Sequence, residues 1–158
     1  MFDHEKLDVY QIELKFLGWA TEFLVELAEV PSPVNKRELS DQLDRASLSA
    51  LLDTAEGNGR RQGKQRAKFF DDARRSAFEC AACLDASVAK ELSTVERIQP
   101  GKDLLQRIVA MLSKLVERFD PDSYRVREGE NELGEAEPIE DEDDDEDEND
   151  TRGGGAHS

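Results

Sequence analysis

The chain has 158 residues, 37% of them apolar, and a formal charge of −16; this is room for one domain. No stretch approaches the ~18 uninterrupted apolar residues of a membrane span. The charge is uneven: residues 1–119 carry 18 Lys and Arg against 20 Asp and Glu, a net of −2, while residues 120–158 carry 3 against 17, a net of −14. The low isoelectric point therefore describes the C-terminal segment, and it does not exclude nucleic acid as a ligand for the rest of the chain.

Four clusters punctuate the sequence: Pro31-Ser32-Pro33, Glu56-Gly57-Asn58-Gly59, Gln99-Pro100-Gly101 and Asp120-Pro121-Asp122. Such residues favour turns. The segments between them lack β-type alternation. They predict helices over 5–29, 36–56, 63–92 and 102–119, an all-α domain over 1–119 followed by a tail over 120–158.

In the first helix Val9, Ile12, Phe16, Ala20, Phe23 and Leu27 form one apolar row. Leu7, Tyr10, Leu14, Leu17 and Leu24 form another. A surface helix buries one face, and a four-helix bundle covers one face of each helix. The last helix has a similar surplus, with Leu104, Ile108, Met111 and Leu115 in one row and Leu105, Val109, Leu112 and Val116 in another. The extra rows predict a homo-oligomer; the alternative is a thicker core. The third helix presents Phe69, Ala73, Ser76, Ala77, Cys80, Ala81, Leu84 and Val88 inward. Its small residues admit close approach of a neighbouring helix. Residues 128–150 are acidic and polar with scarcely any side chain to bury, which predicts a disordered acidic tail. A tail of that length can reach the basic turn described next, so it is expected to act either as a weak shield competing there with phosphates or as a solubilising tail without regulatory effect.

Catalytic and metal chemistry find little footing. The only histidines, His4 and His157, lie near the termini, which leaves no Cys/His or Ser/His/Asp set. Cys80-x-x-Cys83 is half of a zinc site at most; mid-helix, among alanines, it is expected to be core packing. Asp71, Asp72 and Glu79 are expected on a solvated face rather than around a metal. No cofactor is expected. The N-terminus offers no basic and apolar leader, so the cytoplasm is the expected compartment, with reduced thiols.

The strongest polar feature is a basic run. Arg60, Arg61, Lys64, Arg66, Lys68, Arg74 and Arg75 fall within sixteen residues. Lys64, Lys68 and Arg75 share a helix face, next to a helix N-terminus whose free N–H groups favour anions. A solvated face with i,i+4 ion pairs is the equal alternative on composition alone. Gly57 and Gly59 are expected to stop the second helix through left-handed backbone. Glu56 is expected either to receive N–H groups of the third helix or to pair with Arg60.

Four stretches carry a resemblance: His4-Glu5-Lys6-Leu7-Asp8-Val9-Tyr10, Asp41-Gln42-Leu43-Asp44-Arg45-Ala46-Ser47, Ala55-Glu56-Gly57-Asn58-Gly59-Arg60, and Phe69-Phe70-x-x-Ala73-x-x-Ser76-x-x-Glu79. Over about residues 4–119 the chain resembles the bacterial 23S rRNA-intervening-sequence proteins. Where members of that family commonly have Asn-Ile before Ala-Glu-Gly, this chain has Asp53-Thr54; the acidic tail is not part of the family pattern. The resemblance implies an antiparallel up-and-down four-helix bundle, assembly as a homopentamer, and no enzymatic activity. One branch of the family serves diversity-generating retroelements, binding a reverse transcriptase and nucleic acid through a basic surface. The expected function is thus an oligomeric adaptor for RNA or DNA, or for a nucleic-acid-processing protein, with Arg60, Arg61, Lys64, Lys68 and Arg75 as the contact set. The runner-up is a protein-binding scaffold with no nucleic-acid contact, and a metal-dependent enzyme comes third. No membrane partner is expected.

Overall fold

A computed structural model of the chain describes residues 1–123. The expectation of a disordered acidic tail falls almost wholly outside them. The described residues form a short 3-10 turn, Asp3–Lys6, and four long helices: α1 (Asp8–Glu29), α2 (Arg37–Gly59), α3 (Gly63–Ala89) and α4 (Val95–Phe119). Leu7 is extended and separates the turn from α1, so the first helix starts three residues later than its apolar pattern predicts.

Cross-helix contacts define the topology. Glu13 meets Thr54 and Lys36 reaches Ala28, pairing α1 antiparallel to α2. Ser49 meets Ser76 and Gln42 meets Glu79, pairing α2 antiparallel to α3. Arg74 meets Ser113 and Lys102 meets Asp85, pairing α3 antiparallel to α4. Glu26 meets Arg97, which closes the ring between α4 and α1. The result is the antiparallel up-and-down bundle, with α1 and α3 diagonal to each other.

The core is built by the row predicted on α1: Val9, Ile12, Phe16, Ala20, Phe23 and Leu27 are all buried. Opposite stand Leu39, Leu43 and Ala46 of α2, Phe70, Ala73, Ala77 and Leu84 of α3, and Leu105, Ile108 and Leu112 of α4. Burial of a Leu or Phe side chain contributes about 1.5–3 kcal/mol, so this row is the main reason the helices associate. Most of the second row on α1 is half-buried, and Leu14 is exposed. On α4 the surplus residues Leu104, Val109, Met111, Leu115 and Val116 pack against the core as partly buried neighbours.

Two expectations fail. The third break is not at Gln99-Pro100-Gly101. Helix α3 ends at Ala89, where Leu92 N–H donates to Ser87 C=O and Glu91 N–H to Val88 C=O. Glu91 sits in left-handed backbone at φ 59°, and buried Leu92 closes over the end. This is a Schellman termination without glycine. Helix α4 then starts at Val95, seven residues early, because the Thr94 hydroxyl accepts the Arg97 N–H at 3.2 Å. Pro100 lies inside α4. Its ring removes the donor to the Glu96 carbonyl, on a residue that is exposed at the bundle surface. Gly101 admits the Trp19 ring, since a Cβ there would lie 2.4 Å from it.

The second failure concerns Gly57 and Gly59. Among the described residues no glycine has positive φ, and α2 runs through both. Gly57 is instead a point of close approach: a Cβ would stand 3.0 Å from Phe69 Cβ and from the Phe70 ring.

Candidate nucleic-acid interface

The three-residue link between α2 and α3 brings the basic run to one end of the bundle, and the structure sorts its members. Arg60 is committed locally, with its guanidinium 2.5 Å from Glu56 Oε1 and 4.9 Å from the Phe69 ring centroid. Glu56 thus takes the second of its two expected roles. Arg66 donates to Asn58 Oδ1 at 3.0 Å and lies 4.2 Å over the Phe119 ring. Arg74 pairs with Asp71 at 3.4 Å and donates to Ser113. Arg75 pairs with Asp72 and lines a groove with Asp53 and Glu79. Its hydrogen bond and charge contact with Asp72 hold it further toward the charged form. In the same groove burial, and then Asp72, push the Asp53 carboxyl up. That groove is acidic apart from Arg75.

Arg61, Lys64 and Lys68 differ. All three are exposed, and none makes a hydrogen bond or ion pair among the described residues. Lys64 and Lys68 line a cleft of about 160 Å³ together with Asp71 of α3 and with Val116, Asp120 and Ser123 at the end of α4. Of the five predicted contact residues, Arg61, Lys64 and Lys68 are exposed without ion pairs among the described residues, and Arg60 and Arg75 are tied to carboxylates.

Two further cations belong to this end. Gly63 packs so closely on Phe119 that a Cβ would lie 2.9 Å from the Phe119 carbonyl. The Phe119 ring has Arg66 over it at 4.2 Å and Arg118 at 5.4 Å. Antiparallel pairing thus lays the last turns of α4, with exposed Lys114 and Arg118, beside the first turns of α3. Neither makes an ion pair among the described residues. Sequence reading missed both, because they stand about fifty residues from the basic run. Their i,i+4 spacing on a helix predicted to pack against α3 was the available signal. The N-terminus of α3 adds polarity of the same sign: Gln62 gives no side-chain cap, and no acidic residue occupies the first turn. Free N–H groups there carry roughly half a positive charge.

Elsewhere the titratable groups are structural. Cys80 and Cys83 are free and buried, as expected of core residues. Burial, then the neighbouring Cys83 and Glu79, push the Cys80 thiol up to about 12, far from a reactive thiolate. Asp71 and Asp72 pair with arginines, and among the described residues no group of three or more His, Cys, Asp and Glu could hold a metal. His4 lies against Phe2 and Tyr10. The sequence reading did not single out Glu13, which is fully buried on α1.

The fold is therefore that of a four-helix bundle protein in which five exposed cations without ion pairs among the described residues, drawn from the start of α3 and the end of α4, lie at one end of the bundle. The family model for the 23S rRNA-intervening sequence protein matches residues 5–114, and the chain belongs to that family. The match covers nearly all of the region on which the resemblance rests. The family is not a known enzyme class. Comparison with curated proteins gives no match. Among the described residues no helix is long and apolar enough to cross a membrane.

Proposed function

We propose that this protein is a non-catalytic, homo-oligomeric adaptor of the cytoplasm that binds RNA or DNA through the basic end of its bundle. A nucleic-acid-processing protein is the natural second partner. What supports the reading is that Arg61, Lys64 and Lys68 at the start of α3, and Lys114 and Arg118 in the last turns of α4, are exposed and make no ion pair among the described residues. Folded proteins commonly neutralise surface cations in local pairs, as this chain does with Arg60, Arg74, Arg75, Arg97 and Lys102. A cluster left unpaired suits a polyanion, whose binding releases condensed counterions. Arg60 and Arg75 flank this set as second-rank contacts.

The test is binding of a labelled 20-nucleotide single strand across a salt series. Each phosphate contact contributes about 0.7 to the slope of log K against log salt. Arg61→Ala with Lys64→Ala and Lys68→Ala should weaken binding and flatten that slope by about 2 if all three touch phosphate. Lys114→Ala with Arg118→Ala should flatten it by a further ~1.4. Unchanged binding in both folded variants would reject this interface and favour the protein-binding scaffold.

A further inference from the structure

We propose that the groove between α2 and α3 docks an amphipathic helix of a partner protein, with apolar side chains on its floor and Lys or Arg between its walls. The docking stands on shape and charge; that the partner is a nucleic-acid-processing protein rests on the reading above.

The groove opens where the start of α2 faces the end of α3, with a volume of about 580 Å³, which is in the range of ligand sites. Its floor is apolar. Leu39 and Cys83 are buried at its base, and Ala82 and Ala86 keep it open because their side chains end at Cβ. The walls are polar: Glu38 and Gln42 of α2 stand across from Glu79 of α3, and the Gln42 amide donates to Glu79 Oε2 at 3.3 Å. Glu38 and Glu79 are exposed and make no ion pair among the described residues. Glu79 also lines the acidic groove described above, so the two are continuous. In that stretch Asp53 of α2 faces Asp72 of α3, and Arg75 is already paired with Asp72.

Carboxylates therefore line both walls at two levels. Like charges across a groove repel, and burial and then Asp72 push the Asp53 carboxyl up. A cation set between the walls relieves that repulsion. Glu79 and Asp72 are seven residues apart on α3, about 10.5 Å. A helix laid along the groove repeats its face at the same interval, so Lys or Arg at i and i+7 meets both levels. Its next two turns then lie over Leu39, Cys83 and Ala86. The groove closes at Lys90, just past the end of α3, and a cation there suits the C-terminus of the docked helix. Asp72 to Lys90 spans about 27 Å, the length of an 18-residue helix. Apolar stripe, flanking charge and length together specify the helix-in-groove mode of recognition.

The probe is a fluorescent helical peptide of about that length, with two Lys seven apart in its first half and a Leu stripe in its second. Anisotropy against the full chain at 150 mM salt should show binding at micromolar concentration. Residues 120–158 are strongly acidic and attract any basic peptide, so the deciding variant leaves every charge in place. Ala86→Trp fills the floor and should weaken binding at least about tenfold. Ala82→Phe, at an exposed position of the same floor, should act alike if Ala86→Trp disturbs the fold. Glu38→Gln with Glu79→Gln should weaken binding about threefold or more, and a peptide with Glu in place of Lys should bind at least about tenfold more weakly. Equal binding by wild type and a folded floor variant would overturn docking in the groove. Equal binding of the Lys and Glu peptides would overturn the basic partner. The 20-nucleotide strand tests the other reading separately: its affinity should be unchanged in Ala86→Trp, about 33 Å along α3 from Lys64. Peptide docking in a protein that binds no strand would leave the groove standing and remove the nucleic-acid reading instead.

Discussion

Glu13 shows what a single side chain does to the stability of this bundle. It is 2% exposed, between α1 and α2. The Thr54 hydroxyl donates to Oε1 at 2.6 Å, and Oε2 has no partner. Burial pushes the carboxyl up to about 8, against the Thr54 hydrogen bond and with help from the Asp53 charge. In the unfolded chain the same group titrates near its ordinary value of 4.5. The native state therefore holds more protons than the unfolded state between those values, and stability must fall as pH rises through that window. The stabilisation is complete below about pH 4.5, is lost by up to ~1.4 kcal/mol per pH unit, and levels off above about 8. Glu13→Gln keeps an acceptor for Thr54 and removes the titration. Urea unfolding from pH 5 to 9 should show the stability difference between variant and wild type growing with pH in favour of the variant. A constant difference would mean that Glu13 is charged in the folded protein.

At the scale of elements, the boundary between α3 and α4 is set by a backbone device that uses no glycine. Glu91 holds left-handed geometry at φ 59°, which costs a side-chain-bearing residue roughly 1–2 kcal/mol. Glu91→Gly should recover part of this and stabilise the bundle by about 0.5–1 kcal/mol in urea unfolding; a loss would show that the side chain itself contributes. The helical glycines separate in the same way. Gly18 has nothing within 4 Å of an added Cβ, so Gly18→Ala should gain up to about 1 kcal/mol from helix propensity. Gly101 faces Trp19 at 2.4 Å. Gly101→Ala should cost about 1–3 kcal/mol through overpacking, with a shift in Trp19 fluorescence. Equal effects at the two positions would contradict the close packing of α1 on α4. The basic end depends on the same antiparallel pairing, which brings α4's last turn to α3's first.

At the scale of the whole molecule, the apolar surplus lies elsewhere than its rows predict. On α4 the protomer covers it, at least in part. The large apolar residues left exposed include Leu14 and Val25 of α1, Leu48 and Leu52 of α2, and Phe78 of α3. Leu48 and Leu52, one turn apart, are 46% and 57% exposed. If this surface joins protomers, Leu48→Glu with Leu52→Glu should lower the mass seen by light scattering at micromolar concentration while helicity is kept. Phe23 is core, at 1% exposure, so Phe23→Glu should unfold the protomer rather than dissociate an assembly. A wild-type protein that scatters as a monomer would remove the oligomer from the proposed function.

Sequence alone determined the all-α class, four helices in nearly their observed places, the core row of α1, and the division of charge between residues 1–119 and 120–158. These are legible because helical periodicity and composition are local properties, written every three or four residues. The family motif was legible for the same reason, since Ala55–Arg60 is contiguous. The end of α3 was not, because a Schellman turn built on Glu91 depends on Leu92 finding the core, and a proline in the second turn of α4 reads as a break. The partner of Glu13 lies forty-one residues away on another helix, and nothing local distinguishes a buried glutamate from a solvated one. The candidate site divides along the same line. Composition marked the basic run, and the pairs that Arg60, Arg74 and Arg75 make with carboxylates three or four residues away are local as well. Packing brought Lys114 and Arg118 to the same end, because charge interactions depend on distance in space and the antiparallel bundle sets that distance.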